Sequence, residues 1–137
     1  MTYTANQFET LCAEFIEREA KLMTWKAGEY AGEGDRLLNF HQIGDLMGRN
    51  PSEVALSYLL KHIQSITLAV LTGEYVWAWE KEGGEGLKQR IADARNYLLL
   101  LSGCLDEEAG TQHTCLTCGM IWRGGGKCVR CGGVLRA

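Results

Sequence analysis

The sequence predicts a mainly α-helical protein, with a four-helix bundle-like body and a small C-terminal β zinc ribbon. Two observations carry this prediction. Apolar residues recur at three- and four-residue spacing through four segments, as they do on one face of an amphipathic helix. The last 23 of the 137 residues then hold four cysteines in two Cys-x-x-Cys-Gly units. We therefore expect a helical body at residues 1–108 and a zinc ribbon at residues 109–137.

The first half of the body is expected to form two helices. An amphipathic pattern over residues 5–27 predicts the first, and Gly28 is its expected end because glycine favours helix termini. Residues 29–34 are expected to form a loop. A second helix is predicted from near Asp35 to about Gly48.

The third helix has the clearest limits in the sequence. Asn50 is a suitable N-cap, Pro51 suits the first helical position, and Glu53 stands at the third. The apolar pattern continues to Thr72, and Gly73 is the expected end. These roughly 22 residues would make a rod of about 33 Å.

The last part of the body begins ambiguously. Residues 74–86 are compatible with a short helix or an extended segment, and their tryptophans Trp77 and Trp79 would either cover the bundle or dock a second subunit. We expect a homodimer. A fourth helix is predicted over residues 87–105, followed by a polar connector at 106–114.

The C-terminal cysteines have the spacing of a structural metal site. Two Cys-x-x-Cys turns each aim two thiolates at one point, and four thiolates are the tetrahedral set that structural Zn²⁺ prefers. The predicted ligands are Cys115, Cys118, Cys128 and Cys131. Disulfides or uncoordinated thiols are the alternative. Short strands are expected at residues 120–123 and 134–136, and the turns resemble the rubredoxin-like knuckles of zinc ribbons.

Charge divides unevenly along the chain. Residues 1–108 carry a net charge of −7, whereas residues 109–137 carry four basic residues and no acidic one. Four thiolates around Zn²⁺ contribute −2, so the loaded ribbon keeps only about +2 before the terminal carboxylate, and charge alone is a weak argument for nucleic acid. An aromatic residue beside cations can stack on a base and contact phosphate. The candidate residues for binding nucleic acid or a partner are Trp122, Arg123, Lys127 and Arg130.

Polar residues also recur within the predicted helices of the body. Asp35 begins the second helix, Lys61 and His62 lie on the third, and Asp93 and Asn96 lie on the fourth. One interpretation is a buried hydrogen-bond network, in which His62 pairs with Asp93. The other is a pocket for a small anion or nucleotide, with Lys61 on phosphate and Asp35 or Asp93 on a metal ion.

The same positions carry a family resemblance. The residues Asp35, Asn39, Lys61-His62 and Asp93-x-x-Asn96 resemble small all-helical proteins of phages and prophages, and are more loosely similar to the phage nucleotide modification associated helical family. The resemblance covers about residues 25–105. It implies a phage origin and a role in handling nucleotides or nucleic acid.

The sequence is less similar to the all-helical nucleoside-triphosphate pyrophosphohydrolases. Those enzymes hold Mg²⁺ with Glu-x-x-Glu on one helix and Glu-x-x-Asp on a later one. Glu14 and Glu17 supply the first pair here, but Arg90 replaces the acid that should precede Asp93. Glu14 and Glu17 are more simply explained as the solvated face of the first helix.

We therefore expect a cytoplasmic accessory protein of phage type, whose structural zinc ribbon binds nucleic acid or a protein partner. No secretory signal is visible at the N-terminus, and no run of about 18 apolar residues indicates a membrane span. Two alternatives stay open. One is a nucleotide-handling enzyme that uses the polar residues of the body, and the other is a protein inhibitor of a host defence system.

Overall fold

The computed structural model describes residues 1–30, 34–110, 112–115, 117–123, 130–131 and 135–136, of which 26–30, 112–114, 121–123 and 135–136 are described as backbone only. The described chain is mainly α-helical, as predicted. Its four helices are α1 (Ala5–Tyr30), α2 (Leu38–Met47), α3 (Pro51–Thr72) and α4 (Leu87–Ala109). Its strands are β1 (Glu80–Lys81), β2 (Gly84–Glu85), β3 (Gln112–Cys115), β4 (Ile121–Arg123) and β5 (Leu135–Arg136).

The limits of α3 agree with the prediction at both ends, because both ends carry local capping groups. The Asn50 amide donates to Glu53 Oε2 at 2.9 Å, which is one half of a capping box. At the other end Gly73 adopts φ +71° and donates its amide to the Ala69 carbonyl at 2.9 Å. A left-handed glycine of this kind ends a helix without steric cost.

The other helices depart from their predicted limits. α1 continues through Gly28 to Tyr30, since a single glycine inside a helix costs only about 1 kcal/mol. α2 begins at Leu38, three residues later than expected, and ends as predicted with Gly48 at φ 64°.

The predicted connector at residues 106–114 was wrong, because α4 continues to Ala109 and β3 begins at Gln112. Tertiary contacts explain the longer helix. Glu107 lies 2.7 Å from His41 Nε2, and Glu108 accepts hydrogen bonds from the Ser52 hydroxyl and amide at 2.8 and 3.1 Å.

The ambiguous segment forms a small hairpin before α4. β1 and β2 pair antiparallel, with Glu80 opposite Glu85 and Lys81 opposite Gly84. The base of the hairpin is fastened by the Gly86 amide, which donates to the Trp79 carbonyl at 2.9 Å. The tryptophans at 77 and 79 therefore lead into the hairpin.

The chain divides into two compact units. Unit 1 comprises residues 1–36 and 60–96, and unit 2 comprises residues 37–59 and 97–137. The buried apolar residues of unit 1 include Phe15, Ala69, Leu87, Ala92 and Ala94. Those of unit 2 include Phe40, Val54, Ala55 and Cys104, against which Tyr58 and Tyr97 pack. Cys104 is thus a core thiol.

Unit 2 also contains a three-stranded antiparallel sheet of order β4-β3-β5. Its outer strands β4 and β5 fall within the two predicted segments, each starting one residue later. The central strand β3 occupies part of the predicted connector. All three strands are short, so the sheet has few hydrogen bonds of its own.

Helix α3 has the length and composition of a membrane span. Its most apolar window has a mean hydropathy of 1.4, and 22% of that window is buried in the chain. Core helices of soluble proteins meet the same criteria, so one such helix is weak support for a membrane location. The low burial does show that much of the apolar surface of α3 faces outward.

Candidate functional site

Three cysteines of unit 2 come together around one point. The ligand sulfurs of Cys115, Cys118 and Cys131 all lie within 4.8 Å of one another, although the third is thirteen residues from the second. The Sγ atoms of Cys115 and Cys131 are 3.6 Å apart. Cys115 is buried, whereas Cys118 and Cys131 are exposed.

The first Cys-x-x-Cys turn is shaped by backbone hydrogen bonds and one glycine. Cys115 donates its amide to the Met120 carbonyl at 2.8 Å and accepts from the Gly119 amide at 2.9 Å. Gly119 has φ +71°, the positive value expected of the glycine that follows the second cysteine. The turn therefore folds back on itself and leaves both of its sulfurs on one side.

The spacing of the sulfurs fits a tetrahedral metal site. Sulfurs that are each about 2.3 Å from a central zinc in a tetrahedron lie about 3.8 Å from one another. The observed 3.6 Å between Cys115 and Cys131 is close to this value, and is far longer than the roughly 2.05 Å of a disulfide bond. The three cysteines could therefore hold a metal ion. Cys128, the fourth predicted ligand, lies outside the described residues.

The predicted nucleic-acid residues are described only in part. Arg130 is exposed and immediately precedes Cys131 in the sequence. Trp122 and Arg123 belong to β4, where only the backbone is described, and Lys127 lies outside the described residues. The contact surface predicted for the ribbon stays a prediction.

All five polar candidates of the body belong to unit 1. Asp93 and Asn96 are buried, Asp35 and His62 are half-buried, and Lys61 is exposed. Asp93 accepts a hydrogen bond from Gln89 Nε2 at 3.1 Å. The Oδ1 atom of Asn96 is buried without a hydrogen-bond partner among the described residues. The pairing of His62 with Asp93 stays a prediction.

One of the five candidates, Asp93, lines a pocket in unit 1. The pocket has a volume of about 390 Å³ and is bordered by α1, the β1–β2 hairpin and the first turns of α4. We call it the α1–hairpin pocket. The lining includes Arg18, Lys21, Trp25, Trp79, Gln89 and Asp93. The other four polar candidates are not among its lining residues.

Beside this pocket lies a contact that the sequence did not reveal. The Glu14 carboxylate accepts from Trp79 Nε1 at 2.6 Å and from Lys88 Nζ at 2.9 Å. Both hydrogen bonds hold the pKa of Glu14 below its ordinary value, and the bond from Lys88 has the larger effect. Glu14 therefore lies at the surface, with its side chain 39% exposed, but is held there by two donors. Arg18, four residues further along the same helix face, and Phe15 also contact Trp79.

No protein-family model matches the sequence, and neither a curated protein nor a solved structure shows significant similarity to the chain. Functional inference therefore depends on the residues and geometry described above.

Proposed function

We propose that this chain is an intracellular accessory protein of phage type, in which a structural zinc ribbon at residues 109–137 binds nucleic acid. The observation that carries the proposal is the convergence of Cys115, Cys118 and Cys131 within 4.8 Å. Cys128, which repeats the Cys-x-x-Cys spacing with Cys131, would be the fourth ligand. Four thiolates leave no open coordination position, so the metal would stabilise structure and carry no reaction.

Folding energy supports a metal in this segment. β3, β4 and β5 hold four, three and two residues, and strands of that length bury too little surface to order a segment alone. A structural zinc ion supplies the missing free energy, because its ligands converge only in the folded state.

The charge of the segment supports nucleic acid as the partner. Residues 109–137 contain four basic residues and no acidic one, so a net positive charge survives four thiolates and Zn²⁺. Arg130 is exposed beside the cluster. In the sequence Arg123 and Lys127 flank three consecutive glycines, and Trp122 supplies a ring that can stack on an unpaired base.

The proposal is tested with the full chain in two steps. Native mass spectrometry and metal analysis should give one zinc per chain, and Cys115→Ser should lose it. Fluorescence polarisation at low salt should then show binding to labelled single-stranded DNA or RNA. The triple variant R123E/K127E/R130E should bind at least tenfold more weakly, while the matched control Lys81→Glu on the exposed hairpin should bind normally.

Two outcomes would overturn this proposal. The absence of stoichiometric metal would contradict the zinc ribbon. Equal binding by the triple variant and the wild type would contradict a role of the ribbon in nucleic-acid binding. A partner captured through residues 109–137 in the absence of nucleic-acid binding would favour a protein target, including the inhibitor alternative.

We also propose that the chain is a homodimer. Eight apolar residues of unit 1 between positions 60 and 77 are 43–81% exposed, and we call them the 60–77 apolar surface. They are Leu60, Ile63, Leu68, Val70, Leu71, Tyr75, Val76 and Trp77. Exposed clusters of this kind mark interaction sites in soluble proteins.

A second copy is the occupant that best fits this surface. Leu60, Ile63 and Val70 are three and seven residues apart, as on the seam of a heptad repeat, and the α3 of a second copy supplies the same spacing. Lys61 and Gln64 are exposed on the same helix, and polar groups of this kind are costly against lipid. The surface therefore favours a helical protein partner over a membrane.

A nucleotide-handling enzyme is the second candidate. The buried Asp93 favours it, as does the buried Oδ1 of Asn96, which has no hydrogen-bond partner among the described residues, because polar groups placed in an interior are often retained for function. It would require Asp35, Lys61 and His62 to meet Asp93. Hydrolysis of nucleoside triphosphates that is abolished in Asp93→Ala and unaffected in Cys115→Ser would support this activity over the ribbon function.

A further inference from the structure

The α1–hairpin pocket holds a buried carboxylate that has no charged partner among the described residues. Asp93 is 5% exposed, and its one hydrogen bond within the described chain comes from the neutral amide of Gln89. An ionised carboxylate that leaves water loses several kcal/mol of hydration unless a cation or several donors replace it. One amide donor replaces only a part of that hydration. The remaining capacity of the carboxylate is available to a ligand in the pocket.

The other charges of the pocket leave this negative charge uncompensated. Arg18 is engaged by Glu80 at 3.4 Å, and Lys21 by Glu17 at 3.1 Å. The remaining acidic side chain of the lining, Glu85, has no ion-pair partner within the described ranges. Arg18 and Lys21 are neutralised by their acidic partners, so Glu85 and Asp93 leave the pocket with a net negative charge.

The net charge of unit 1 has the same sign as the net charge of the pocket. Unit 1 contains twelve acidic and nine basic residues, which is a net charge of −3, whereas unit 2 contains five of each. Before the thiolates and Zn²⁺ of the proposed ribbon are counted, the net charge of the chain thus resides in the unit that carries the pocket. This field raises the local concentration of cations and lowers that of anions.

The aromatic side chains of the pocket are suited to a cation. The Arg18 guanidinium lies 5.2 Å from the ring centroid of Trp79. The Trp79 ring also packs against Phe15, with 4.8 Å between the ring centroids. Trp25 is 65% exposed and belongs to the same lining, so its ring is open to a ligand. Indole is the strongest of the aromatic side chains in attracting a cation to its face.

We propose that the α1–hairpin pocket binds a small organic cation, an amine or guanidinium compound whose body lies on Trp25 and whose charge is neutralised by Asp93 and Glu85. The volume of about 390 Å³ is within the range of small-molecule sites. The proposal is independent of the ribbon, because every residue in it belongs to unit 1.

Agmatine and spermidine are suitable probes, since they carry guanidinium and ammonium groups on a short apolar chain. Isothermal titration of the full-length protein should show saturable binding of at least one of them at low salt, and tryptophan fluorescence should change in parallel. AMP, which carries the opposite charge and a planar base, is the comparison ligand. It should bind at least tenfold more weakly.

Three variants locate the bound charge. Asp93→Asn preserves size and the contact with Gln89 but removes the charge, and should weaken binding of the cation at least tenfold. Glu85→Gln should weaken it several-fold, and so provides a second reading if Asp93→Asn unfolds. Glu82→Gln, a charge removal at an exposed hairpin residue outside the lining, is the matched control and should bind normally.

Three results would overturn the inference. The first is no binding of either probe at millimolar concentration, and the second is equal weakening by Glu85→Gln and Glu82→Gln, which would indicate non-specific attraction. The third is preferential binding of AMP, which would assign the pocket to an anionic nucleotide.

Discussion

At the scale of single residues, Glu14 shows how one carboxylate can join three segments of unit 1. It extends from α1, accepts from the indole of Trp79 ahead of the hairpin, and accepts from Lys88 in the first turn of α4. The indole in turn contacts Phe15 and Arg18 from α1. The ionised form of Glu14 is the form that these donors favour, which is why its pKa is lowered.

This contact predicts a dependence of stability on pH. A carboxyl whose pKa is lower in the folded than in the unfolded chain stabilises the fold above its unfolded value, about 4.3, and loses this contribution as the pH falls through the folded value. Urea unfolding should therefore show that Glu14→Gln is less stable than the wild type at pH 7. The difference should shrink as the pH falls from 7 to 3.

The control for this prediction is Glu9→Gln, which changes an exposed carboxylate on the same helix. It should differ little from the wild type at either pH. A difference between Glu14→Gln and the wild type that is the same at pH 7 and pH 3 would show that the carboxylate charge is not responsible.

At the scale of elements, the hairpin is fixed by a close approach of two backbones. A Cβ atom added to Gly86 would lie 1.8 Å from the Ala78 carbonyl oxygen, a distance that no side-chain rearrangement can relieve. The same glycine donates to Trp79 and directly precedes α4. Only glycine therefore allows the hairpin to close against the start of the helix.

Gly86→Ala should consequently lower the free energy of unfolding by about 3 kcal/mol, the upper part of the range for overpacked sites. Chemical denaturation followed by circular dichroism measures this change. Gly84→Ala is the matched control, because its added methyl would meet only the Lys81 side chain at 3.8 Å. Equal stability of the two variants would contradict the proposed role of the close approach.

The elements also show why some features follow from sequence and others do not. Both ends of α3 could be predicted because the capping hydrogen bonds are local. Asn50 bonds to Glu53, and Gly73 bonds to Ala69, each within four residues. The extension of α4 was missed because Glu108 is bound by Ser52, which is 56 residues away. Local signals can be read along the chain, whereas a polar helix end that is stabilised by a distant partner looks like a connector.

The candidate sites divide in the same way. The convergence of Cys115, Cys118 and Cys131 was predictable because the ligand spacing is a property of short turns. Asp93 is buried, but its pocket depends on α1 and the hairpin, which no local pattern in α4 indicates. The role of Glu14 depends on Trp79 and Lys88, which no local pattern connects to it.

At the scale of the whole molecule, the outward apolar residues of α3 predict self-association. Leu60→Glu combined with Ile63→Glu should convert a homodimer to a monomer, because charges would be buried in the seam without partners. Sedimentation equilibrium of the full chain measures the change in mass. Gln42→Glu, which adds one charge to an exposed position of α2, should remain dimeric.

A monomeric wild-type protein at micromolar concentration would contradict this prediction. So would a double variant that keeps the mass of the wild type while circular dichroism shows an intact fold. Either result would leave the 60–77 apolar surface to a different protein partner.

The unequal exposure of the clustered cysteines has a kinetic consequence. Cys115 is 1% exposed, whereas Cys118 and Cys131 are open to solvent. If the proposed zinc ion is bound there, a chelator or an alkylating reagent would reach the two exposed thiols first and the buried Cys115 last. We therefore expect exchange of that metal to be faster than from a fully enclosed site.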